Sequence, residues 1–327
     1  VDVEFWMWGA TVGFIAAMLV VDLRVIHDRP EPISFREAAF YSAMWIALGL
    51  GFGLVVLVFG GANAGGEYFA GYLIEKALSV DNVFVFALIF TYFAVPDRYQ
   101  HRVLFWGVVG ALVMRGVFIA LGAEALERYD YVVYLFGLLL IVTGTRMATH
   151  HIEEVHPDRN PVLKLLRKRL AVTEDFHGAH LLVPKSEVDR DKRPKEGRPL
   201  VGRWVATPLL TVLVVIETTD LVFALDSIPA IFSITTATFI VFTSNAFALL
   251  GLRALYFMLA GAMDRFVYLK YGLALILVFV GVKFIYSDLF GKVPILVSLP
   301  FIAIIVTASI AASLWATRTG REERLSV

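Results

Sequence analysis

Glu217-Thr-Thr-Asp220-Leu-Val-Phe-Ala-Leu-Asp226-Ser-Ile-Pro229 lies inside an apolar block that runs from about 207 to 233. A block of about twenty apolar residues matches the hydrocarbon thickness of a bilayer. A carboxylate at the centre of such a helix costs about 2.5–3.5 kcal/mol on insertion scales. Three acids kept at that cost mark a polar interior with a task, and the rest of the chain repeats the theme. Glu75-Lys-Ala-Leu-Ser-Val-Asp81-Asn82 sits in another long apolar block.

Working outward, the 327 residues are 58% hydrophobic and 18% charged, with a mean hydropathy of +0.74. Soluble proteins run at about 45–50% apolar and about 25% charged. The sequence therefore predicts an all-α polytopic membrane protein. Nine transmembrane helices are expected, at about 5–23, 37–60, 67–95, 103–123, 131–149, 207–233, 236–261, 267–287 and 293–317. The domain layout is a membrane half over 1–149, a charged loop over 150–206, a second membrane half over 207–317 and a tail over 318–327. The net charge of zero gives no electrostatic ground for a nucleic-acid partner. The absence of cysteine excludes disulfides and thiolate chemistry. Asp2 and Glu4 open the chain without a basic region, so the first block is expected to be a span rather than a cleaved signal peptide.

Orientation follows from Lys and Arg. With the N-terminus outside, 22 of them fall on the inner side and only Arg128 and Lys292 on the outer side. A multi-pass plasma-membrane protein with its C-terminus in the cytoplasm is expected.

An internal repeat is legible in the polar residues. Tyr131-Val-Val-Tyr134 precedes Gly144-Thr-Arg146 as Tyr268-Leu-Lys-Tyr271 precedes Gly281-Val-Lys283. Leu112-x-x-Arg115-x-x-Phe118 matches Leu250-x-x-Arg253-x-x-Tyr256, and Glu75…Asp81-Asn82 matches Asp220…Asp226-Ser227. Spans 3–5 (67–149) and 6–8 (207–287) thus read as two inverted three-helix repeats, a transporter architecture whose site lies where the repeats meet.

The candidate site is Glu75, Asp81, Asn82, Glu217, Asp220, Asp226 and Ser227, all oxygen donors, with Arg115, Arg253 and Asn245 as supporting partners. Oxygen donors without thiolate or imidazole suit hard or borderline-hard cations such as Mn2+, Mg2+ or Ca2+. Asp81 and Asp226 lie about 120° around a straight helix from Glu75 and Asp220, so a break is expected at Pro229, which cannot donate to Leu225. Lys76, Arg115 and Arg253 balance part of the acidic charge, and a divalent cation would balance the rest. Asp22 is expected to pair with nearby Arg24, Gly49-x-x-x-Gly53 to be a close-packing face, and Trp6, Trp8, Trp204 and Trp315 to anchor span ends. The cluster His150-His151-x-Glu153-Glu154-x-His156 reads mainly as a solvated charged stretch.

At these motifs, together with Ser244-Asn-Ala-Phe-Ala-Leu-Leu-Gly-Leu-Arg253-Ala-Leu-Tyr-Phe257 and Tyr99-Gln-His-Arg102, the chain resembles the TerC family of bacterial integral membrane proteins, which includes the Alx-type members. The likeness runs from about residue 10 to 315. It implies a manganese exporter of the inner membrane, in a family named for a link to tellurium resistance, whose plastid relatives are associated with thylakoid protein insertion. Manganese and the outward direction come from the resemblance alone.

The leading expectation is a secondary transporter with Mn2+ as cargo and the proton as coupling ion, holding no permanent cofactor. It is not expected to be an enzyme: no G-x-x-x-x-G-K-[ST] is present. A membrane scaffold or insertion factor is the alternative, and an Asp81/Asp226 protease dyad ranks last because its glycine-rich context is missing. Self-assembly into a homo-oligomer stays open.

Overall fold

The computed structural model describes residues 4–27, 34–149, 162–165, 172–173, 175–184, 204–259, 268–291 and 293–325. The helices are α1 (Phe5–His27), α2 (Phe35–Tyr92), α3 (Asp97–Arg128), α4 (Tyr131–Thr149), α5 (Pro208–Phe232), α6 (Thr238–Leu249), α7 (Leu252–Leu259), α8 (Leu269–Phe290) and α9 (Ile295–Leu325). Two short strands, β1 (Leu182–Pro184) and β2 (Trp204–Ala206), pair antiparallel just before α5. The charged loop thus contributes a small sheet; its His/Glu cluster lies outside the described residues. Among the described residues, seven helices are long and apolar enough to cross a membrane, or eight when α6 and α7 count as one bent span. The chain is a polytopic membrane protein.

The expected spans 37–60 and 67–95 run together as the 58-residue α2. Straight, it would extend about 87 Å, nearly three bilayer cores. Gly61 breaks it instead, with φ 85° and ψ 174°, a conformation that only a residue without Cβ adopts freely. The two arms fold back on each other. Tyr68 Oη donates to the Gly49 carbonyl at 2.9 Å, and a Cβ on Gly65 would lie 2.8 Å from the Leu57 Cα. Gly49 and Gly53 face Tyr72 and the Tyr68 and Phe69 rings, so the small-residue face packs one arm against the other as the sequence suggests.

A second break falls in span 236–261, where α6 and α7 meet at 41°. Gly251, with φ 80°, packs there against the Trp45 side chain. The break expected at Pro229 is not found: α5 stays helical through Pro229 to Phe232. Pro229 stands in the last turn of α5, so any bend it causes displaces only a short helical end, while the Leu225 carbonyl still goes without its usual donor.

Side-chain contacts fix the helix directions. Gly107, Gly110 and Gly122 on α3 face Ile216, Glu217 and Phe232 on α5 in turn, so the two helices run parallel. The second arm of α2 runs parallel to α6–α7, with Gly71 against Ser244, Lys76 bonded to the Ala248 carbonyl and Phe90 against Tyr256. α4 and α8 cross antiparallel, Gly137 against Gly281 and Gly144 against Ala274 and Leu277. One apolar cluster gathers Phe86, Phe90, Leu104, Ala111, Ile216 and Leu255. Another gathers Ile119, Ala224, Ile228, Ile231, Phe232 and Phe284. On α3 and α5 the polar centre falls between them.

Candidate functional site

Arg115 follows Ala111 and precedes Ile119 by one turn each, so it faces the same side of α3 as these buried residues. It is only 1% exposed. A guanidinium so deep in apolar surroundings persists only when paired and hydrogen-bonded. Its Nε and Nη2 donate to Asp220 Oδ2 at 3.1 Å and Oδ1 at 3.0 Å, a fork on a fork. Its Nη1 forms an ion pair with Glu75 Oε1 and also donates to Ser227 Oγ at 3.3 Å and Asn245 Oδ1 at 3.4 Å. Asn245 Nδ2 in turn donates to Glu75 Oε2 at 2.9 Å. Glu75 comes from the second arm of α2, Arg115 from α3, Asp220 and Ser227 from α5, and Asn245 from α6. Two carboxylates, one hydroxyl and one amide from three helices thus surround one cation on a fourth.

The remaining predicted site residues lie around this centre without joining it. Asp226 is half-buried and accepts from Thr143 Oγ1 of α4 at 3.0 Å. Asp81, also half-buried, lies within electrostatic reach of Lys270. Asn82 is buried with its Nδ2 unpartnered, and so is the neighbouring Ser79 Oγ. The Glu217 carboxylate fills the notch left by Gly110, with Oε2 buried and unpartnered. Among the described residues, no group of three or more His, Cys, Asp or Glu stands close enough together to hold a metal ion. In this conformation Arg115 occupies the middle of the acid pair.

Arg253 lies elsewhere than expected. It is 2% exposed and pairs with Asp22 of α1, Nη2 to Oδ2 at 2.8 Å, and Nη2 also donates to the Asp22 carbonyl at 2.6 Å. Its guanidinium stands over the Phe105 ring at 5.9 Å. The bend at Gly251 separates α7 from the α6 segment that carries Asn245, so Arg253 ties α7 to α1. Asp22 therefore pairs with Arg253, where the sequence suggested Arg24. Of the three cations expected to balance the acids, Lys76 and Arg115 remain, and Lys76 is spent on the Ala248 carbonyl at 3.0 Å.

Two contributors were not singled out from sequence. Thr143 was hidden by its place in an ordinary apolar helix, although it precedes the repeat glycine Gly144. Gly110 carries no signal beyond being a glycine inside a span.

Buried carboxylates cross-linked by an arginine between apolar helices define an integral membrane protein with an ionisable interior. The profile described as "Integral membrane protein TerC family" matches residues 60–321, and the chain belongs to that family. It is 45% identical over 312 residues to the Myxococcus xanthus protein named "Uncharacterized membrane protein STKORF319", covering 95% of this chain and 93% of that one. It is 41% identical over 318 residues to the Escherichia coli K12 protein named "Putative membrane-bound redox modulator Alx", covering 94% of each. A Rickettsia bellii membrane protein is 38% identical over 306 residues, 94% of this chain and 96% of its own. No solved structure matches the chain.

Proposed function

We propose that the chain is a secondary transporter that exports a hard divalent cation, Mn2+ first, from the cytoplasm in exchange for protons. The observation that carries this reading is the meeting of Glu75 and Asp220, from two separate motifs, on the single buried cation Arg115. A guanidinium neutralises only part of that acid pair, and its +1 charge stands where a divalent cargo would bring +2. Cargo and Arg115 would therefore take turns on the carboxylates. Ser79, Asn82 and Glu217 hold polar atoms without partners, and such atoms are ready to exchange with the shell of a passing ion. Asp81 and Asp226 would receive the ion on either side of that centre.

The relative helix directions are those that nine crossings and two inverted repeats require, and the Lys/Arg distribution is what favours the N-terminus outside. The second arm of α2, α3 and α4 would match α5, α6–α7 and α8. The parallel α3–α5 contact then mirrors the parallel contact of α2 with α6–α7. The antiparallel α4–α8 crossing is its own mirror image, since Gly137 on Gly281 corresponds to Ala274 on Gly144. The name carried by the Escherichia coli relative suggests an influence on redox state. With no cysteine in this chain, such an influence would act through the transported cation.

The test is Mn2+ flux in proteoliposomes with internal pH recorded, for wild type and for Asp81→Asn and Asp226→Asn. Saturable flux with opposed proton movement, lost in folded variants, is the expected result. A wild type that carries none of Mn2+, Mg2+ and Ca2+ would overturn the reading. Variants that match wild type would make the acids structural and bring forward a scaffold or insertion role.

A further inference from the structure

Away from Arg115, a cavity of about 520 Å3 lies at the end of the bundle that holds the Gly61 turn. Its polar lining includes Asn63 and Glu67 of the second α2 arm, Thr235 of the α5–α6 turn, and Lys283, Ser287 and Asp288 of α8. Lys283 is only 6% exposed, yet it makes no hydrogen bond or ion pair within the described residues. Glu67 acts on it electrostatically across the cavity wall. Ser287 Oγ is buried and unpartnered, and Asp288 accepts from Tyr134 Oη at 2.7 Å.

Two carboxylates, an amide and several hydroxyls are a donor set for a hard cation. A tethered ammonium among them makes lasting occupancy by such a cation unfavourable, because like charges at close range repel strongly in a partly desolvated site. Phe232 and Phe284 also line the cavity, and both belong to the apolar cluster that includes Ala224 and Ile228. These two residues flank Ser227 on α5, which bonds to Arg115, so that apolar cluster reaches from the cavity wall to the neighbourhood of the Arg115 centre.

We propose that this cavity is a second, transient station for the divalent cation on the outer side, and that Lys283 is a tethered counter-cation that prevents the ion from staying there. The proposal rests on the transport reading above. At the centre, a guanidinium locked by several bonds sits between Glu75 and Asp220. At the mouth, an ammonium on a flexible four-carbon stem shares its space with Glu67 and Asp288 and can yield to each arriving ion.

Equilibrium binding of Mn2+ to the full chain in detergent, read by electron paramagnetic resonance, tests this separately from flux. Lys283→Met is expected to gain one saturable Mn2+ site, roughly tenfold or more tighter than anything wild type shows there, on the scale of removing one nearby like charge. Adding Glu67→Gln is expected to abolish the gain, and Lys283→Arg is expected to behave as wild type. A Lys283→Met protein that binds no more Mn2+ than wild type overturns the proposal. A wild type without flux overturns the transport reading, whereas the binding result alone decides the cavity.

A second measurement leaves Lys283 in place. The chain has no cysteine, so Asn63→Cys supplies a single thiol at the cavity. A cationic thiosulfonate reagent added outside cells should react with it several-fold faster than an anionic one, as local acidic charge steers the reagents. Labelling from the inside only, or equal rates for both reagents, overturns the assignment.

Discussion

Glu75 and Asp220 are held by two edges of one guanidinium, Asp220 through a bidentate fork and Glu75 through the remaining Nη1. They lead the two polar motifs of the sequence, and neither has a second cation at hand among the bonds that describe the centre. The site is therefore poised on Arg115.

Arg115→Met should be strongly destabilised, by about 3–5 kcal/mol, because it strands two buried carboxylates. Mn2+ should then restore more thermal stability to the variant than to wild type, since the ion meets acids with no competing guanidinium. Unfolding temperatures with and without Mn2+ check this. An equal shift in both proteins would mean that Arg115 and the cargo do not share a place.

Arg253→Met should also cost about 3 kcal/mol or more by leaving Asp22 unpaired at the α1–α7 contact. Its Mn2+ affinity, measured by titration calorimetry, should stay close to that of wild type. A large loss of affinity would place Arg253 in the cation site after all.

Asn245→Ala removes the donor to Glu75 Oε2. The expected stability cost is about 1 kcal/mol, the scale of one interhelical hydrogen bond in a membrane. The loosened carboxylate should lower Mn2+ flux several-fold, and proteoliposome rates at saturating Mn2+ read that out.

Gly110→Ala should drive a Cβ into the Glu217 carboxylate; these atoms end a flexible side chain, so the acid should swing out of the notch at a small cost in unfolding temperature. Combining it with Glu217→Ala should recover most of the loss, because the obstructing atoms are gone. The coupling in this double-mutant cycle is the quantity to measure, and simple additivity would show that the notch does not hold the acid.

The apolar blocks and their acids were legible because both signals are local: bilayer thickness sets a length, and charge within that length stands out. The polar matches between the two halves also brought Glu75, Arg115, Asp220 and Ser227 forward together, and the structure gathers these four with Asn245. Asp22 was a different matter. It lies in α1, outside both repeat units, so nothing in the repeat could announce its bond to Arg253. The breaks were misplaced for a related reason. Proline advertises a lost donor, but Pro229 stands near a helix end, whereas Gly61 and Gly251 turn the chain through positive φ values that their spelling does not reveal. Thr143 was illegible because its partner Asp226 lies on another helix.

The crossing of α4 and α8 limits how the two halves can move. A Cβ on Gly281 would lie 2.7 Å from the Gly137 carbonyl oxygen, and one on Gly144 equally close to that of Ala274. With no side chain between the two backbones, sliding one helix along the other would push bulkier neighbours such as Leu140 and Leu277 into the opposing backbone. Were the two helices to tilt against each other, the glycines would be the fulcrum: displacement would vanish at the pin and grow with distance along each lever arm, so a small tilt there would translate into a large opening at the far ends of the same helices.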